Sequence, residues 1–293
     1  MTMPTRRTHL AAALAALCAS GAASALDVDA GDYTALPAGT NLALLYYQHA
    51  EIDHVYASGD KGAGSLRTDA ALLRYVHFTK IGDYIIDPQV IVPYVNIDTR
   101  GALADAGVNS PSGLGDTLLG ATLWLKNDPK KGEYFGFTYF LSAPTGSYDR
   151  DRTLNIGADR YGHILQFGYI NRLTDKLTVD LVADATIYGD NKKANLAGDT
   201  LKKAVSYQAQ AWLRYNLTDT LDLRASVSRD WGGETKLGGV RQDDESNRSK
   251  FTLGAAWFVE PTVQLIANVG KDISVDNGPK EDSRVNLRLL KVF

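Results

Sequence analysis

Four of the five histidines, at 49, 54, 77 and 163, and several serines and acidic residues are the side chains in this sequence that could do chemistry. His49 and His54 are five positions apart, a spacing that does not place two metal ligands on one face of a strand. Asp149, Asp151 and the run at 243–245 could bind calcium in loops, but neighbouring arginines favour ordinary solvated loops instead. We therefore expect no metal site.

Catalytic signatures are also missing. The sequence has no Gly-x-Ser-x-Gly elbow and no Gly-Lys-Ser/Thr phosphate loop, and Gly113, Gly115 and Gly120 lack the spacing of a dinucleotide fingerprint. We expect no catalytic residues and no cofactor. One alternative stays open, a lipase-type or protease-type hydrolase that pairs Ser142 or Ser147 with His163.

The composition excludes several classes of protein. At 44% hydrophobic and 22% charged residues with a net charge of −3, the 293-residue chain is too apolar to be disordered and too nearly neutral to bind nucleic acid by electrostatics. Its single cysteine, Cys18, cannot form an intrachain disulfide or a cysteine zinc cluster. The 15 tyrosines and 27 glycines favour an all-β chain with many turns.

Residues 1–25 are typical of a secretory signal peptide. Arg6 and Arg7 precede a short apolar stretch, and the sequence Ala-Ser-Ala that ends at Ala25 suits signal peptidase. Lipidation of Cys18 is disfavoured because Leu17, rather than a small residue, precedes it. We predict cleavage at Ala25 and a single domain over 26–293, which has no apolar run long enough for a transmembrane helix.

Segments of alternating polarity continue to the end of the chain. In 205–217 the odd positions are apolar or aromatic and the even ones are mostly polar, which indicates a strand with two different faces. Such segments number about twelve. The predicted spans are 40–57, 66–81, 84–99, 114–126, 133–147, 161–172, 177–189, 204–217, 221–233, 249–259, 262–275 and 283–293.

Short turns alternate with longer polar connections such as 101–113, 147–160, 190–203 and 233–248. This alternation is typical of outer-membrane barrels, whose periplasmic turns are short and whose extracellular loops are long. Unpaired backbone groups are costly in hydrocarbon, so the sheet must close on itself. The predicted fold is an all-β, closed, antiparallel up-and-down transmembrane β-barrel of about 12 strands in the bacterial outer membrane, with the lipid bilayer as its partner.

The cost of placing a charge in lipid assigns the strand faces, since an Arg or Lys that faces lipid at mid-bilayer costs roughly 2–4 kcal/mol. We therefore expect eight charged side chains to face the lumen: Arg74, Asp87, Asp180, Asp184, Arg214, Asp222, Arg224 and Arg288. Aromatic residues near strand ends are expected in interfacial girdles: Tyr46, Tyr94, Tyr169, Tyr215, Trp257 and Phe258.

The last strand alternates through Val285, Leu287 and Leu289 and ends on Phe293. Bacterial outer-membrane barrels commonly end in this way. We predict that the C-terminal strand, with Phe293, is the signal read by the barrel-assembly machinery.

Two segments together resemble one family. Residues 112–121 (SGLGDTLLGA) and 136–148 (GFTYFLSAPTGSY) are similar to motifs of the outer-membrane barrels assigned to the meta-pathway of phenol degradation. Ala143 and Ser147 differ from the more usual residues without disturbing the strand pattern. The resemblance implies a barrel that transports a small solute, aromatic or otherwise apolar.

Twelve strands lie between the filled eight-stranded barrels and the open pores of sixteen or more, so we expect a narrow lumen. The function that follows is passive uptake of a small molecule. Two alternatives stay open: the rim hydrolase described above, and a structural or adhesive surface barrel in which the lumen charges only neutralise one another.

Overall fold

The structure, a computed structural model, describes residues 27–293. The predicted signal peptide and its cleavage site at Ala25 lie outside these residues. Twelve long strands form the wall of a barrel: β1 Asn41–Ala57, β2 Asp60–His77, β3 Tyr84–Arg100, β4 Thr117–Asp128, β5 Glu133–Ala143, β6 Gly162–Arg172, β7 Leu177–Tyr188, β8 Ser206–Asn216, β9 Leu221–Gly232, β10 Ser246–Glu260, β11 Val263–Val275 and β12 Ser283–Val292.

Each wall strand pairs antiparallel with the next, and the last pairs with the first. The closing ladder of β1 and β12 runs from Leu42 opposite Val292 to Glu51 opposite Ser283. Beyond it, the backbone N–H groups of Asn41 and Phe293 donate to each other's carbonyl oxygens at 2.8 and 3.0 Å. The predicted closed, twelve-stranded antiparallel barrel is confirmed.

The outer face of the wall is apolar because every second residue of each strand points away from the lumen. Exposed leucines and aromatics lie on ten of the wall strands at mid-height: Leu45, Leu73, Leu119, Phe167, Leu181, Leu213, Leu223, Leu253, Leu265 and Leu287. Among the described residues, no helix is long and apolar enough to cross a membrane.

The turns at the end of the barrel where β1 begins are short, as predicted. At the opposite end of the barrel, the first connection, between β1 and β2, is short as well. β2 begins at Asp60 rather than at 66, so only Ser58 and Gly59 connect it to β1. Both residues have positive φ angles, 52° and 81°, which is the geometry of a two-residue type I′ hairpin turn. The predicted start of this strand at 66 was therefore six residues too late.

The longer loops at this end fold toward the lumen. The helix Ala102–Asp105 buries Leu103 completely beside Val55 and Leu66 of the wall. Three short strands, Leu201–Lys203, Thr235–Leu237 and Val240–Arg241, form a separate sheet over the mouth. Three others, Thr79–Ile81, Ser112–Leu114 and Gly278–Lys280, extend the wall locally.

Residues 27–40, which we call the N-terminal segment, lie inside the barrel. Its backbone is held by two buried indoles: Trp124 Nε1 donates to the Tyr33 carbonyl at 3.0 Å, and Trp212 Nε1 donates to the Val28 carbonyl at 2.9 Å. Apolar inward-facing residues near the strand ends, Leu42 and Leu44 among them, pack around it. No sequence pattern predicted this arrangement.

Candidate functional site

Four cavities follow one another through the barrel beside the N-terminal segment. An outer vestibule of about 530 Å³ lies among the loops, and an inner vestibule of about 490 Å³ lies at the opposite end. Between them are an apolar chamber of about 100 Å³ and a central gap of about 40 Å³. Neighbouring cavities share lining residues, so they are adjacent to one another, and we call the series of four cavities the route through the lumen.

The shared residues mark the junctions of this route. Arg160 lines both the outer vestibule and the apolar chamber. Leu72 and Ile91 line both the chamber and the central gap. Arg74 and Asp32 line both the central gap and the inner vestibule. The narrowest part of the route therefore lies between the N-terminal segment and strands β2 and β3.

Two arginines fix the N-terminal segment at this narrow part. Arg74 Nη1 donates to Asp32 Oδ2 at 2.9 Å, and Arg288 Nη1 donates to Asp32 Oδ1 at 2.6 Å. Arg288 also contacts Asp29 at 3.1 Å. All four side chains are largely buried, so the carboxylates neutralise guanidinium groups that would otherwise be unpaired in the lumen.

The ring of Tyr33 occupies a niche made by two glycines on neighbouring strands. Gly136 of β5 lies opposite Gly168 of β6. A Cβ atom at Gly168 would come within 2.1 Å of Tyr33 Cδ2. The Tyr33 hydroxyl donates to Gln166 Oε1 at 2.9 Å and lies 2.7 Å from Thr138 Oγ1. The wall is thus shaped to hold this side chain in the lumen.

The far end of the N-terminal segment is held by cations of the later strands. Asp27 lies 2.8 Å from Lys250 Nζ and pairs with Arg284. Gln208 Nε2 donates to Asp27 at 2.9 Å. Neither Lys250 nor Arg284 was a predicted site residue.

The eight charged residues predicted to face the lumen all make polar contacts there. Arg74 and Arg288 contact the N-terminal segment, as described above. Arg214 pairs with Asp180 at 2.8 Å, and Asp180 also accepts from the Gly31 N–H at 2.6 Å. The interior charges therefore pair partly across strands and partly with the N-terminal segment.

The remaining four complete this interior network. Arg224 donates to both carboxylate oxygens of Asp222 at 2.8 Å and to the Ala30 carbonyl at 3.1 Å. Asp87 accepts from the Thr122 N–H at 2.7 Å. Asp184 accepts from Gln166 at 3.3 Å, and its other oxygen is buried without a hydrogen-bond partner.

Two of the aromatic residues expected in the girdles line the lumen cavities instead, and Phe258 is the one at the inner vestibule. Tyr46 points into the lumen, where its hydroxyl accepts a 3.3 Å hydrogen bond from Arg74 and its ring lies near Arg288. The expectation failed because β1 has apolar side chains on both faces: one face meets lipid and the other packs on the N-terminal segment. Tyr94, Tyr215 and Trp257 are exposed on the outer face.

The two sequence motifs that carry the family resemblance are joined in space. The carboxylate of Asp116 accepts from the Gly146 N–H at 2.9 Å and from the Ala158 N–H at 3.0 Å. Gly146 and Gly157 approach so closely that a Cβ on either would come within 2.7 Å of the other's backbone. These contacts fold the loop 144–161 inward and carry Ile156 and Arg160 to the lumen.

Arg160 is the most unusual group on the route. It is only 7% exposed, and its Nε and Nη1 atoms have no hydrogen-bond partner. No carboxylate of the described residues lies within ion-pair distance of it, although Asp116 and Asp190 are near enough to favour its charged form. Its guanidinium lies 5.0 Å from the centre of the Tyr188 ring, and Lys203 Nζ lies 4.8 Å from the same ring. Burial lowers the pKa of Arg160 and, together with Arg160 itself, lowers the pKa of Lys203 to about 8.

The hypothetical Ser–His pairs are not formed. Ser142 is buried and lines the apolar chamber, whereas His163 contacts the Tyr139 hydroxyl at 2.8 Å among exposed side chains. Ser147 lies against Gly113. Within residues 27–293, no group of three or more His, Cys, Asp or Glu side chains is arranged to hold a metal ion.

A closed barrel with an apolar outer face and a charged interior is a bacterial outer-membrane β-barrel. The family model described as "Putative MetA-pathway of phenol degradation" matches residues 32–289. The chain belongs to this family, which confirms the resemblance of its two motifs and the predicted location in the outer membrane.

Solved structures agree with this assignment. The chain is similar to the COG4313 outer membrane channel from Pseudomonas putida F1, with 36% identity, coverage of 91% of this chain and 100% of that chain, and a TM-score of 0.87. It shares its fold with the translocator domain of the autotransporter NalP from Neisseria meningitidis at 15% identity, with 89% and 90% coverage and a TM-score of 0.52. Among proteins of curated function, no sequence matches. The chain is a homologue of an outer-membrane channel.

Proposed function

We propose that the protein is a passive channel that admits a small solute across the outer membrane, along the route beside the N-terminal segment. The observation that carries this proposal is the unbroken series of shared lining residues from the outer vestibule, through Arg160, Leu72 and Arg74, to the inner vestibule. The solved relative at 36% identity is described as a channel rather than as an enzyme or an adhesin.

The narrow central gap sets the size of the solute. A space of about 40 Å³ holds little more than water, so larger solutes pass only if the side chains around Arg74 and Asp32 move. Because the N-terminal segment forms one wall of the gap, movement of this segment would widen the route. Flux follows the concentration gradient, as expected for a narrow barrel with a partly charged lumen.

The proposal is tested by the conductance of the purified, folded barrel in planar lipid bilayers. Wild-type protein should give resolved currents in KCl, and Arg74→Ala should raise the conductance and shift the selectivity toward cations, since it removes a cation from the narrow part. Arg67→Ala is the matched control: Arg67 lies on the same strand but faces outward and pairs with Glu51 at 2.7 Å. Folded barrels without current, or identical currents from the Arg74 variant, would overturn the proposal.

A further inference from the structure

The boundary between the outer vestibule and the apolar chamber combines a cation without a counter-ion and a small apolar space. Arg160 lines both cavities and is buried without a hydrogen-bond partner at two of its nitrogens. A buried guanidinium without a partner is costly, and natural structures normally satisfy such groups with an anion or with water. Its planar set of donors matches a carboxylate in particular.

The groups around Arg160 make this position more positive. Lys203 Nζ lies 4.8 Å from the centre of the same Tyr188 ring. No carboxylate of the described residues lies within ion-pair distance of Lys203, and Asp244 acts on it only from further away. The nearest acidic side chain at the chamber, Asp116, already accepts two backbone N–H groups. An incoming anion would therefore meet two cations that the protein itself leaves without a carboxylate partner.

The apolar chamber beside Arg160 suits the other end of such a molecule. Its wall is made mainly of aliphatic side chains, including Leu118, Ile156 and Ile164, together with Tyr161 and Tyr188. The chamber volume of about 100 Å³ is about two thirds of that of an engineered apolar cavity of about 150 Å³ that binds benzene. Because the chamber adjoins the outer vestibule at Arg160, it can receive part of a single ring or a short aliphatic group, but not a large solute.

We infer that this junction is a binding site for a small monocarboxylate with an apolar body, of the size of benzoate, whose carboxylate pairs with Arg160 and whose ring enters the chamber. The inference rests on the proposed channel function and narrows its solute class from any small solute to an amphipathic anion. Tyr188 would lie beside the ring, and the positive charge of Lys203 would add to the attraction.

The test is the affinity of the folded, detergent-solubilised barrel for benzoate, measured by titration calorimetry. Benzoate should bind at least about 10-fold more tightly than benzyl alcohol, which has the ring without the charge, and than acetate, which has the charge without the ring. Arg160→Gln should weaken benzoate binding by about 10-fold or more. Arg241→Gln, at an exposed loop arginine that pairs with Glu234, should leave the affinity unchanged.

Two further measurements keep the outcomes distinct. A heat-dependent shift in gel mobility and a thermal unfolding transition would show that the Arg160→Gln variant is folded. Benzoate binding by Arg160→Lys would show whether a positive charge at this position is enough to bind the carboxylate. Equal binding of benzoate and benzyl alcohol, or full benzoate binding by folded Arg160→Gln, would overturn the inference. Wild-type currents in KCl without benzoate binding would contradict only the inferred carboxylate site. Benzoate binding by a barrel that carries no current would contradict only the proposed channel function.

Discussion

Arg288 and Asp32 lie 256 positions apart in the chain, yet Nη1 of the arginine is 2.6 Å from Oδ1 of the aspartate in the centre of the barrel. The ion pair joins the last wall strand to the N-terminal segment. Arg74 of β2 binds the other oxygen of the same carboxylate at 2.9 Å. One carboxylate thus bridges cations of two wall strands and fixes the narrowest part of the lumen.

Replacement of this carboxylate should destabilise the N-terminal segment. Asp32→Asn leaves Arg74 without its ion pair and Arg288 with only Asp29, and removal of one partner from a buried pair typically costs about 3–5 kcal/mol. We expect larger and noisier single-channel currents, and faster cleavage of the segment by a protease added on the inner side. Asp98→Asn, which alters an exposed carboxylate that pairs with Arg100, should change neither. Unchanged currents from Asp32→Asn would show that the segment does not limit the route.

The glycine niche for Tyr33 offers a second way to displace the segment without altering charge. Gly168→Ala places a methyl group where the ring now lies, and such overpacking typically costs about 1–3 kcal/mol. Conductance should rise while the barrel stays folded, because β6 keeps its backbone pairing. The control is Phe167→Leu, the neighbouring residue on the outer face. A Gly168→Ala channel with wild-type current would contradict the role assigned to Tyr33.

The loop 144–161 should depend on Asp116. Asp116→Ala removes two hydrogen bonds from backbone N–H groups to a charged acceptor, each worth about 1.5–3 kcal/mol. The loop should become sensitive to proteolysis near Arg150 and Arg152, and benzoate affinity should fall because Arg160 is no longer held at the chamber. Limited proteolysis followed by mass spectrometry measures the first effect. A loop as resistant as that of the wild type would show that other contacts hold it.

Binding of the inferred carboxylate should depend on pH because of Lys203. Burial and the neighbouring Arg160 lower the pKa of this ammonium to about 8, and Asp244 only partly opposes them. The ammonium is therefore charged at pH 7 and mostly neutral at pH 9, so the affinity for benzoate should fall severalfold as the pH rises through 8. Lys203→Met should abolish this dependence. Lys202→Met, at an exposed neighbour that pairs with Asp190, should preserve it.

Phe293 is predicted to act in assembly rather than in the folded barrel. Its backbone closes the ladder with Asn41, but its side chain is 63% exposed. Phe293→Ala should therefore change the unfolding free energy of the refolded barrel by less than about 1 kcal/mol, yet lower the amount that reaches the outer membrane in cells. Normal outer-membrane levels of the variant would refute the proposed contact with the assembly machinery.

The wall of the barrel could be predicted from the sequence because lipid penalises a charge on every strand, and strands with polar inward residues, such as β8, show the resulting alternation clearly. β1 did not show it, since Leu44 and Leu45 are apolar on opposite faces for different reasons: one packs on the N-terminal segment and the other faces outward. The place of Asp32 could not be predicted, because its partners lie on strands far away in the sequence. Arg160 could not be predicted from a periodic pattern, because it lies in a loop, and the position of that loop depends on Asp116.

The contacts of the N-terminal segment set an order on folding. Asp27 pairs with Lys250 of β10, and Asp32 pairs with Arg288 of β12 as well as with Arg74 of β2, so the full set of contacts forms only after β10 and β12 have joined the wall. Until then Lys250 and Arg288 lack these carboxylate partners, whereas Arg214 and Arg224 can already pair with Asp180 and Asp222 of the wall. The earliest part of the described chain consequently completes its contacts last, and its position inside the barrel narrows the lumen.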